Sequence, residues 1–398
     1  MVLGRVRLLA VALLLCAGCT DESTGGRSSS SSSPTSPTSP ISPTTAAATS
    51  DRLEPPCPSA PSSPVAVESA KAANELLAAQ DLPAWEAADI GASTLLNDGR
   101  VVWVFGDTVR SGMTPGLVAN SMLVSGGHCA SQLLTPEEGP VVPDVSKAVV
   151  HWPMSAVSWA DETRERLVVL CSRTRRGGSG DPLDFTFLGT SAALFDVPVG
   201  GVPRLIRVTR VTEDDPDLHQ VNWGAASFTD DRWIYVYGTR LTGEEYVFGR
   251  ELYAARVPLT TPTKRSTWRF WDGSAWQPDP DRATAVMDAE GGVSQTLSVD
   301  GLDDGRFLAV SKRDGDLGEF VYSWLAPSPV GPWVPHKGVP APNDLDEGLL
   351  KYAPLAHPQI PLGTGKLLVG VSRNTTDLRR LVEDPELGVV EFVEVALP

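Results

Sequence analysis

The chain has 398 residues, of which 49 are acidic and 33 basic, and its net charge at neutral pH is −16. This charge argues against nucleic acid and against an anionic lipid surface as partners, because both would be repelled. The length suits one large domain preceded by a leader that is processed away.

The first predicted elements are a leader and a tether. Residues 1–18 carry two arginines and then an apolar run that is too short to span a bilayer, which is typical of a secretory signal peptide. Residues 17–19 resemble a lipobox in which Cys19 is lipidated, although Cys16 stands where Leu is usual, so plain secretion stays open. Residues 19–56 are rich in Ser, Thr and Pro and predict a disordered tether. We therefore expect an extracytoplasmic protein that is lipid-anchored to the cell membrane or secreted, and that touches the membrane only through its N-terminal lipid.

Besides Cys19, three cysteines follow the leader: Cys57, Cys129 and Cys171. In an oxidising compartment, one disulfide and one free thiol are expected. Cys171 lies inside an apolar run, so we favour a disulfide between Cys57 and Cys129, although sequence alone leaves the pairing open. These cysteines have no metal-ligand spacing, and we predict neither a metal site nor a cofactor.

One short pattern occurs five times in the rest of the chain. Each copy has a turn, a basic residue, four or five apolar residues, a small residue and a polar residue. The basic residues are Arg100, Arg166, Arg232, Arg306 and Lys366, which lie 66, 66, 74 and 60 positions apart. Such a period, with several strands in each unit, is typical of a β-propeller. We predict an all-β, five-bladed β-propeller over residues 57–398, with a helix over residues 65–79 before the first blade.

The polar residue of each repeat is predicted to face the axial funnel, because the innermost strand begins there and the second strand ends there. These residues are Asp107, Arg173, Thr239, Lys312 and Arg373. If the first blade opens with a simple hairpin around residues 97–99, Asp89 lies opposite Asp107 at cross-strand distance.

Two adjacent carboxylates repel each other, and the repulsion raises one pKa. Glycoside hydrolysis uses such a pair, with one group protonating the leaving oxygen and the other acting as nucleophile or base. We predict Asp89 and Asp107 as the catalytic pair, with the two roles in either order. The alternative is an ion pair between Asp107 and Arg173 or Arg373, with Asp89 as a turn residue.

Further residues are predicted around the same mouth as substrate-binding groups. Aromatic rings there would stack on sugar faces, and polar groups would bind hydroxyls. The predicted set is His151, Trp152, Asn222, Trp223, Glu290, Gln295, Tyr352, His357 and Arg373, with Glu290 also a candidate third acid. The alternative for each of them is ordinary packing along the propeller axis.

Two segments carry a resemblance to a known family. AADIGAS…VVWVFGDT, which contains Asp89 and Asp107, and YAPLAHPQIPLGTGKLLVGVSRNT at residues 352–375 are similar to actinobacterial proteins of the domain of unknown function 4185 family. Enzymatic members of that family form glycoside hydrolase family 183. The resemblance covers residues 85–396 and implies a five-bladed propeller and endo-acting hydrolysis of the D-arabinan of mycobacterial-type cell walls. By position, Asp89 and Asp107 match acidic residues of the first blade, whereas Val109 stands where an aromatic residue is expected.

The function predicted from the sequence is that of a cell-envelope glycoside hydrolase acting on a furanoside-type, D-arabinan-like glycan. Its partner is a polysaccharide or oligosaccharide of the cell wall, and the protein is expected to be a monomer. Two alternatives stay open. One is a non-catalytic propeller lipoprotein that binds glycan or protein through the same face, and the other is a scaffold for adhesion or envelope assembly.

Overall fold

Five antiparallel sheets follow one another along the chain in the computed structural model, which describes residues 50–57, 66–161, 164–177 and 184–398. The predicted all-β fold with five propeller blades is confirmed. The predicted signal peptide, Cys19 and most of the predicted tether lie outside the described residues. Within the described ranges, no helix is long and apolar enough to cross a membrane.

Two elements precede the repeats. Strand β1 (Arg52–Glu54) pairs with residues Cys129–Leu134, the outer part of blade one, and Leu53 packs against the core there. This strand corrects the prediction of a disordered tether over all of residues 19–56, because an apolar contact and ladder hydrogen bonds hold its three residues on the blade. Helix α1 (Ala70–Ala78) begins after Ser69, whose side chain accepts a hydrogen bond from a backbone N–H of the first turn, and lies within the predicted helix.

The blades are consecutive in sequence. Blade one contains β2 (Ala87–Leu95), β3 (Val101–Val109), β4 (Leu117–Val118), β5 (Ser121–Gly126) and β6 (Cys129–Leu134), paired in the order β2-β3-β5-β6-β1, with β4 on the side of β3. Blade two contains β7 (Val149–Asp161), β8 (Arg164–Arg176), β9 (Phe185–Val197) and β10 (Arg204–Arg210), paired in chain order.

The other three blades also begin with an innermost strand and continue outwards. Blade three contains β11 (Asn222–Thr229), β12 (Trp233–Arg240), β13 (Glu251–Pro258), β14 (Arg269–Trp271), β15 (Trp276–Gln277) and β16 (Ala285–Met287), with β16 on the side of β13. Blade four contains β17 (Ser298–Gly301), β18 (Phe307–Lys312), β19 (Phe320–Ala326) and β20 (Val334–Pro340). Blade five contains β21 (Leu349–Ala356), β22 (Leu367–Thr375) and β23 (Glu391–Val395), with helix α2 (Leu378–Glu383) between the last two strands. Short 3-10 turns occur at Arg265–Thr267, Pro280–Arg282 and Pro385–Gly388.

Separate apolar clusters fill the spaces between neighbouring blades. Large buried members are Phe195 between blades one and two, Trp268 between blades two and three, and Tyr237 between blades three and four. The apolar runs of the repeats supply these clusters, because both faces of each blade are covered by neighbours. Full burial of one such side chain contributes about 1.5–3 kcal/mol.

Helix α1 closes the ring between blades five and one. The Asn74 side chain donates to the Phe392 carbonyl (2.9 Å) and accepts from the Phe392 N–H (2.8 Å), so α1 is fixed to β23. A disulfide between Cys57 and Cys129 ties the segment before α1 to blade one. These are the two cysteines that the sequence analysis paired, and Cys171 is free and buried in β8.

The innermost strands share an irregularity that positions the site. In blades two, three and five the β-ladder is regular at first and then shifts its register: after Pro153, which follows Trp152, after Trp223, and after Tyr352. In blade one the shift surrounds Asp89, next to Gly106. In blades three and five the small residue of the repeat pairs with the last residue before the shift, whereas in blade two Ser172 pairs with Trp152, one residue earlier. Bulges re-aim side chains and are common beside functional sites.

Candidate active site

Asp89 and Asp107 lie side by side in blade one, but not through the simple hairpin expected from the sequence. The β2–β3 ladder is irregular on both sides of Ile90, and the two irregularities compensate, so that Ala88 faces Thr108 just as Leu95 faces Val101. Ile90 is held in the left-handed region at φ 71°, an unusual conformation for a β-branched residue. Strained backbone of this kind persists where surrounding structure fixes it, and here it sits directly beside the carboxylate pair.

Blade five fixes Asp89 from the neighbouring side. The Tyr352 hydroxyl donates to Asp89 Oδ2 (2.6 Å), and the Asn374 side-chain amide donates to the Tyr352 hydroxyl oxygen (3.2 Å). The Ser372 hydroxyl accepts the Ile90 backbone N–H (2.8 Å), so the strained segment itself is tied to blade five. The other carboxylate oxygen, Oδ1, is buried without a hydrogen-bond partner among the described residues.

Blade two fixes Asp107. Arg176, at the end of β8, forms an ion pair with Asp107 Oδ1, and the Trp152 indole N–H donates to the same oxygen (2.9 Å). The Trp152 ring rests edge-on against Phe185, with 5.0 Å between the ring centroids. The ion pair proposed as the structural alternative therefore exists, but its cation is Arg176 and not Arg173 or Arg373.

The site is enclosed yet open to solvent. The side chains of Asp107 and Arg176 are 31 % and 34 % exposed, and Asp89, Trp152 and Tyr352 are also partly exposed. The protein encloses both carboxylates, so they are poorly hydrated. Part of each of the two residues nevertheless stays accessible to solvent. The Asp107 side chain is therefore within reach of solvent, whereas Oδ1 of Asp89 is buried beside it.

The two carboxylates have different electrostatic surroundings. The pKa of Asp89 is raised from 3.8 to about 7, chiefly by burial and then by the negative charge of Asp107, while the hydrogen bond from Tyr352 opposes the rise. Burial also raises the pKa of Asp107, against the opposing effects of the Arg176 charge and the Trp152 hydrogen bond. Because Asp107 has a cation and Asp89 has none, Asp107 is the group better suited to stay ionised. Burial also raises the pKa of Tyr352, which therefore stays protonated and donates.

A third carboxylate acts on this pair from the loop before blade two. The negative charge of Asp144 raises the pKa of Asp107, and Asp144 is itself influenced by the positive charge of Arg176. Arg176 therefore serves two acids. Among the described residues, no group of three or more His, Cys, Asp or Glu side chains is placed to hold a metal ion.

Comparison with known proteins places the chain in a family. The model of the family described as Domain of unknown function (DUF5005) matches residues 74–386, which include every residue of the site above. The chain belongs to the DUF5005 family. This match does not name the domain 4185 family or glycoside hydrolase family 183, so that closer resemblance stays a prediction. None of the curated proteins compared with this DUF5005 chain matches it.

Solved structures share the DUF5005 propeller fold at low sequence identity. A candidate hydrolase from Bacteroides ovatus is 16% identical with a TM-score of 0.60, and the match covers 81% of this chain and 88% of that one. A GH43_1 enzyme from Xanthomonas citri is 12% identical with a TM-score of 0.45, covering 79% and 88%. An endo-arabinase from Bacteroides thetaiotaomicron is 12% identical with a TM-score of 0.42, covering 79% and 96%. The first comparison shows a shared fold, and the other two are too distant to support an argument.

Three of the predicted substrate-binding residues of this DUF5005 chain are core residues. His151 is 3 % exposed and is hydrogen-bonded through its ring nitrogens to the Pro143 carbonyl (2.7 Å) and the Ser191 hydroxyl (3.1 Å). Trp223 is 5 % exposed and packs against Phe270. His357 is 1 % exposed, pairs with the Ser93 hydroxyl and has its pKa lowered to about 3 by burial. Their side chains are enclosed in the interior of the propeller, so little of their surface can meet a ligand.

The other predicted residues lie apart from the carboxylate pair. Glu290 is exposed on the loop before β17, and no described contact joins it to Asp89 or Asp107. Gln295 accepts from the Thr239 hydroxyl with its backbone carbonyl (2.9 Å) and lies near Arg250.

Asn222 and Arg373 occupy different blades. Asn222 is 3 % exposed, on the first position of β11. Arg373 lies directly opposite Lys351, and its neighbours Ser372 and Asn374 are on the side of the sheet that bears Tyr352. Successive residues of a strand point to opposite faces, so Arg373 points away from Asp89.

The expectation that every repeat ends with a funnel-facing polar residue fails in three blades, and in blade three Thr239 is fully buried. Arg173 is 1 % exposed and is paired with Asp214 and with backbone carbonyls of its own blade. Lys312 is fully buried, and its ammonium group donates to the Asp316 carbonyl (3.3 Å).

Sequence reasoning missed Arg176, Asn374 and Asp144. Arg176 had a usable signal, since it follows the polar position of repeat two by three residues on the same strand, whereas Asp144 reaches the site from a loop.

Proposed function

We propose that this protein hydrolyses a glycosidic bond, with Asp89 and Asp107 as the catalytic carboxylates. The observation that carries the proposal is the contrast between the two acids: they are adjacent and partly open to solvent, but one is paired with Arg176 and the other has a pKa near 7. Two acids whose surroundings separate their protonation states at one pH are the requirement for general acid–base chemistry on a glycoside.

The roles follow from the surroundings of each acid. Asp89, protonated to a large extent at neutral pH, donates its proton to the oxygen of the departing sugar. Asp107, kept ionised by Arg176 and oriented by the Trp152 N–H, attacks the sugar carbon or activates a water molecule there. Tyr352 holds the Asp89 carboxylate in place and Asn374 holds Tyr352. The exposed parts of Trp152 and Tyr352 offer ring surface to the sugar.

The proposed substrate is a furanoside-type glycan of the cell wall, similar to D-arabinan, and the proposed location is outside the cytoplasm, on a lipid anchor at Cys19 or in secreted form. The substrate rests on the resemblance of residues 85–396 to glycoside hydrolase family 183, and the location on the leader-like composition of residues 1–18. The net charge of −16 argues against a strongly polyanionic partner such as nucleic acid, and a polysaccharide is compatible with it.

The test is release of oligosaccharides from arabinogalactan, lipoarabinomannan and a panel of furanoside glycans by the purified protein. The parent protein is compared with Asp89→Asn and Asp107→Asn, both of which preserve side-chain shape. Two matched controls are available: Asp300→Asn removes another buried acid with a pKa of about 7 on an innermost strand, and Asp214→Asn removes another ion-paired acid.

We expect the parent and both controls to release products, and each site variant to lose at least about 100-fold in rate, the usual scale of a general acid–base contribution. A different result would identify a non-catalytic binding propeller. The parent protein would then release no oligosaccharide from any glycan, and saturable glycan binding would persist in Asp107→Asn.

A further inference from the structure

Cationic side chains gather where blades three, four and five meet. We call Arg250, Lys312, Lys351 and Arg373 the cationic region. Lys351 and Arg373 occupy the face of blade five opposite to the one that bears Tyr352, so the region lies on a different side of that blade from the carboxylate pair. Its charge stands out because the chain as a whole carries −16.

Two of these cations face each other directly. Lys351 of β21 and Arg373 of β22 are register partners in the ladder of blade five. Like charges in this arrangement destabilise a sheet. Lys351 is compensated by an ion pair with Glu391 (2.8 Å), whereas Arg373 has no ion pair among the described residues.

The third cation adds to the repulsion. Lys312 is fully buried at the end of β18, and its charge and that of Lys351 repel each other. Burial lowers the pKa of Lys312 to about 8, with Asp316 acting in the opposite direction. Asp316 also acts on Arg250, whose pKa is lowered by burial. One carboxylate is thus shared between the buried Lys312 and the partly buried Arg250.

The region has more positive than negative charge. Its four cations are offset by two carboxylates, those of Asp316 and Glu391. The acids of the nearby loop, Asp344, Asp346 and Glu347, are exposed to solvent, where their charges are strongly screened.

An independent observation at the blade-three end also indicates a missing partner. Asn222 is 3 % exposed, and neither its Oδ1 nor its Nδ2 has a hydrogen-bond partner among the described residues. It faces Thr239, whose hydroxyl is bonded to the Gln295 carbonyl, and the Gln295 side chain accepts from Arg250 (3.4 Å). Buried amides are rarely left unpaired in proteins, because an unpaired group loses its bonds to water without replacement.

We propose that the cationic region binds an oxyanion, a carboxylate or a phosphate group, on the glycan that enters the funnel. The identity of the carrier as a glycan rests on the proposed function, whereas the anion site stands on its own contacts. An anion between Lys351 and Arg373 converts their repulsion into two attractive contacts, and a guanidinium can bind both oxygens of such a group at once. A polar group beside the anion, such as a hydroxyl, would satisfy Asn222.

The experiment is a calorimetric titration of the full protein with inorganic phosphate, glucuronate and, as a neutral reference, glucose. Lys351→Gln and Arg373→Gln each remove one partly exposed cation. Arg306→Gln is the matched control, since it removes a cation that is ion-paired with Asp304 next to the other end of β18. Thermal unfolding of each variant verifies that it is folded.

We expect saturable binding of phosphate or glucuronate, but not glucose, which weakens at least about 5-fold in each of the two site variants and is unchanged in Arg306→Gln and Asp107→Asn. Preference for glucuronate or for phosphate identifies the carboxylate or the phosphate source. The inference is overturned if neither anion binds, or if both site variants bind as tightly as the parent protein.

The same measurements separate the two proposals. If the protein hydrolyses furanoside glycans but binds no anion, only the proposal of an anion site is refuted. If the protein binds an anion but cleaves no glycan, the proposal of a hydrolase is refuted and the proposal of an anion site stands.

Discussion

The carboxylate of Asp89 occupies the space that a side chain on residue 106 would need. A Cβ added to Gly106 would overlap Asp89 Oδ1 and lie 3.3 Å from its Cγ. Gly106 does not have the left-handed backbone that favours glycine, so the need for glycine here comes from the carboxylate above it. The small residue of the first repeat is therefore part of the site.

Gly106→Ala is expected to displace the Asp89 carboxylate while the blade stays folded. Displacing a catalytic group by about 1 Å costs on the order of 100-fold in rate, so we expect a loss of 10- to 100-fold in kcat/KM with a small change in Tm. Gly116→Ala is the control, because the nearest neighbour of its new Cβ, the Arg110 carbonyl oxygen, lies at an ordinary 3.6 Å. Equal activity of both variants would show that the position of Asp89 is unimportant.

Tyr352→Phe is expected to move the alkaline limb of the pH–rate profile upwards. The Tyr352 hydroxyl favours the ionised form of Asp89, so its loss raises the pKa of Asp89 further above 7. The profile of kcat/KM against pH, measured from pH 4 to 9, reports this pKa in the free enzyme. An alkaline limb that moves downwards or stays in place would contradict the assignment of Asp89 as the acid.

Arg176→Gln is expected to move the acidic limb of the same profile upwards. Arg176 supplies the positive charge that opposes the rise in the pKa of Asp107, so Asp107 becomes protonated at a higher pH without it. The control is Arg175→Gln at the preceding, exposed position of β8, which leaves the ion pair intact. If both variants shift the limb equally, the effect is one of general surface charge.

Asp89→Asn is expected to stabilise the protein at neutral pH and not at pH 4. The native pKa of Asp89 lies above its unfolded value, so the native state binds more protons than the unfolded state between about pH 4 and 7. The stability of the parent protein therefore falls as pH rises through this window, by about 4 kcal/mol at most for a shift of this size. Asn has no such penalty.

Denaturant unfolding at pH 4 and pH 8 measures the effect. Asp300→Asn should show a similar gain in the free energy of unfolding at neutral pH, because burial raises the pKa of Asp300 to about 7 as well. A gain for Asp300→Asn without one for Asp89→Asn would mean that Asp89 is well solvated.

The ring of five blades was predictable because it depends on a repeat that recurs along the whole chain. The apolar run of each repeat needs two covered faces, and a ring of blades provides them. The adjacency of Asp89 and Asp107 also followed from counting along one hairpin, although the counting ignored two irregularities around Ile90 that cancel.

The predictions that failed concern residues outside the first hairpin of blade one. Each of them depended on the direction in which a side chain points. His151, Trp223 and His357 have the right residue types for a sugar site, but their faces of the strands are buried between blades. Arg176 pairs with a residue 69 positions away in the neighbouring blade, and its position on β8 does not by itself specify that partner. The alternation of side chains along a strand shows which residues share a face of the blade. Which of the two faces meets the funnel depends on how neighbouring blades are twisted relative to each other.

The shared bulge on four innermost strands has a consequence for how this fold can change. Three of these strands place a site residue there, Asp89, Trp152 or Tyr352, each close to the small residue of its repeat on the neighbouring strand. Exchanging the amino acid there alters chemistry without redrawing the scaffold. A new specificity can thus arise through a single substitution in one blade, while the rest of the propeller is unchanged.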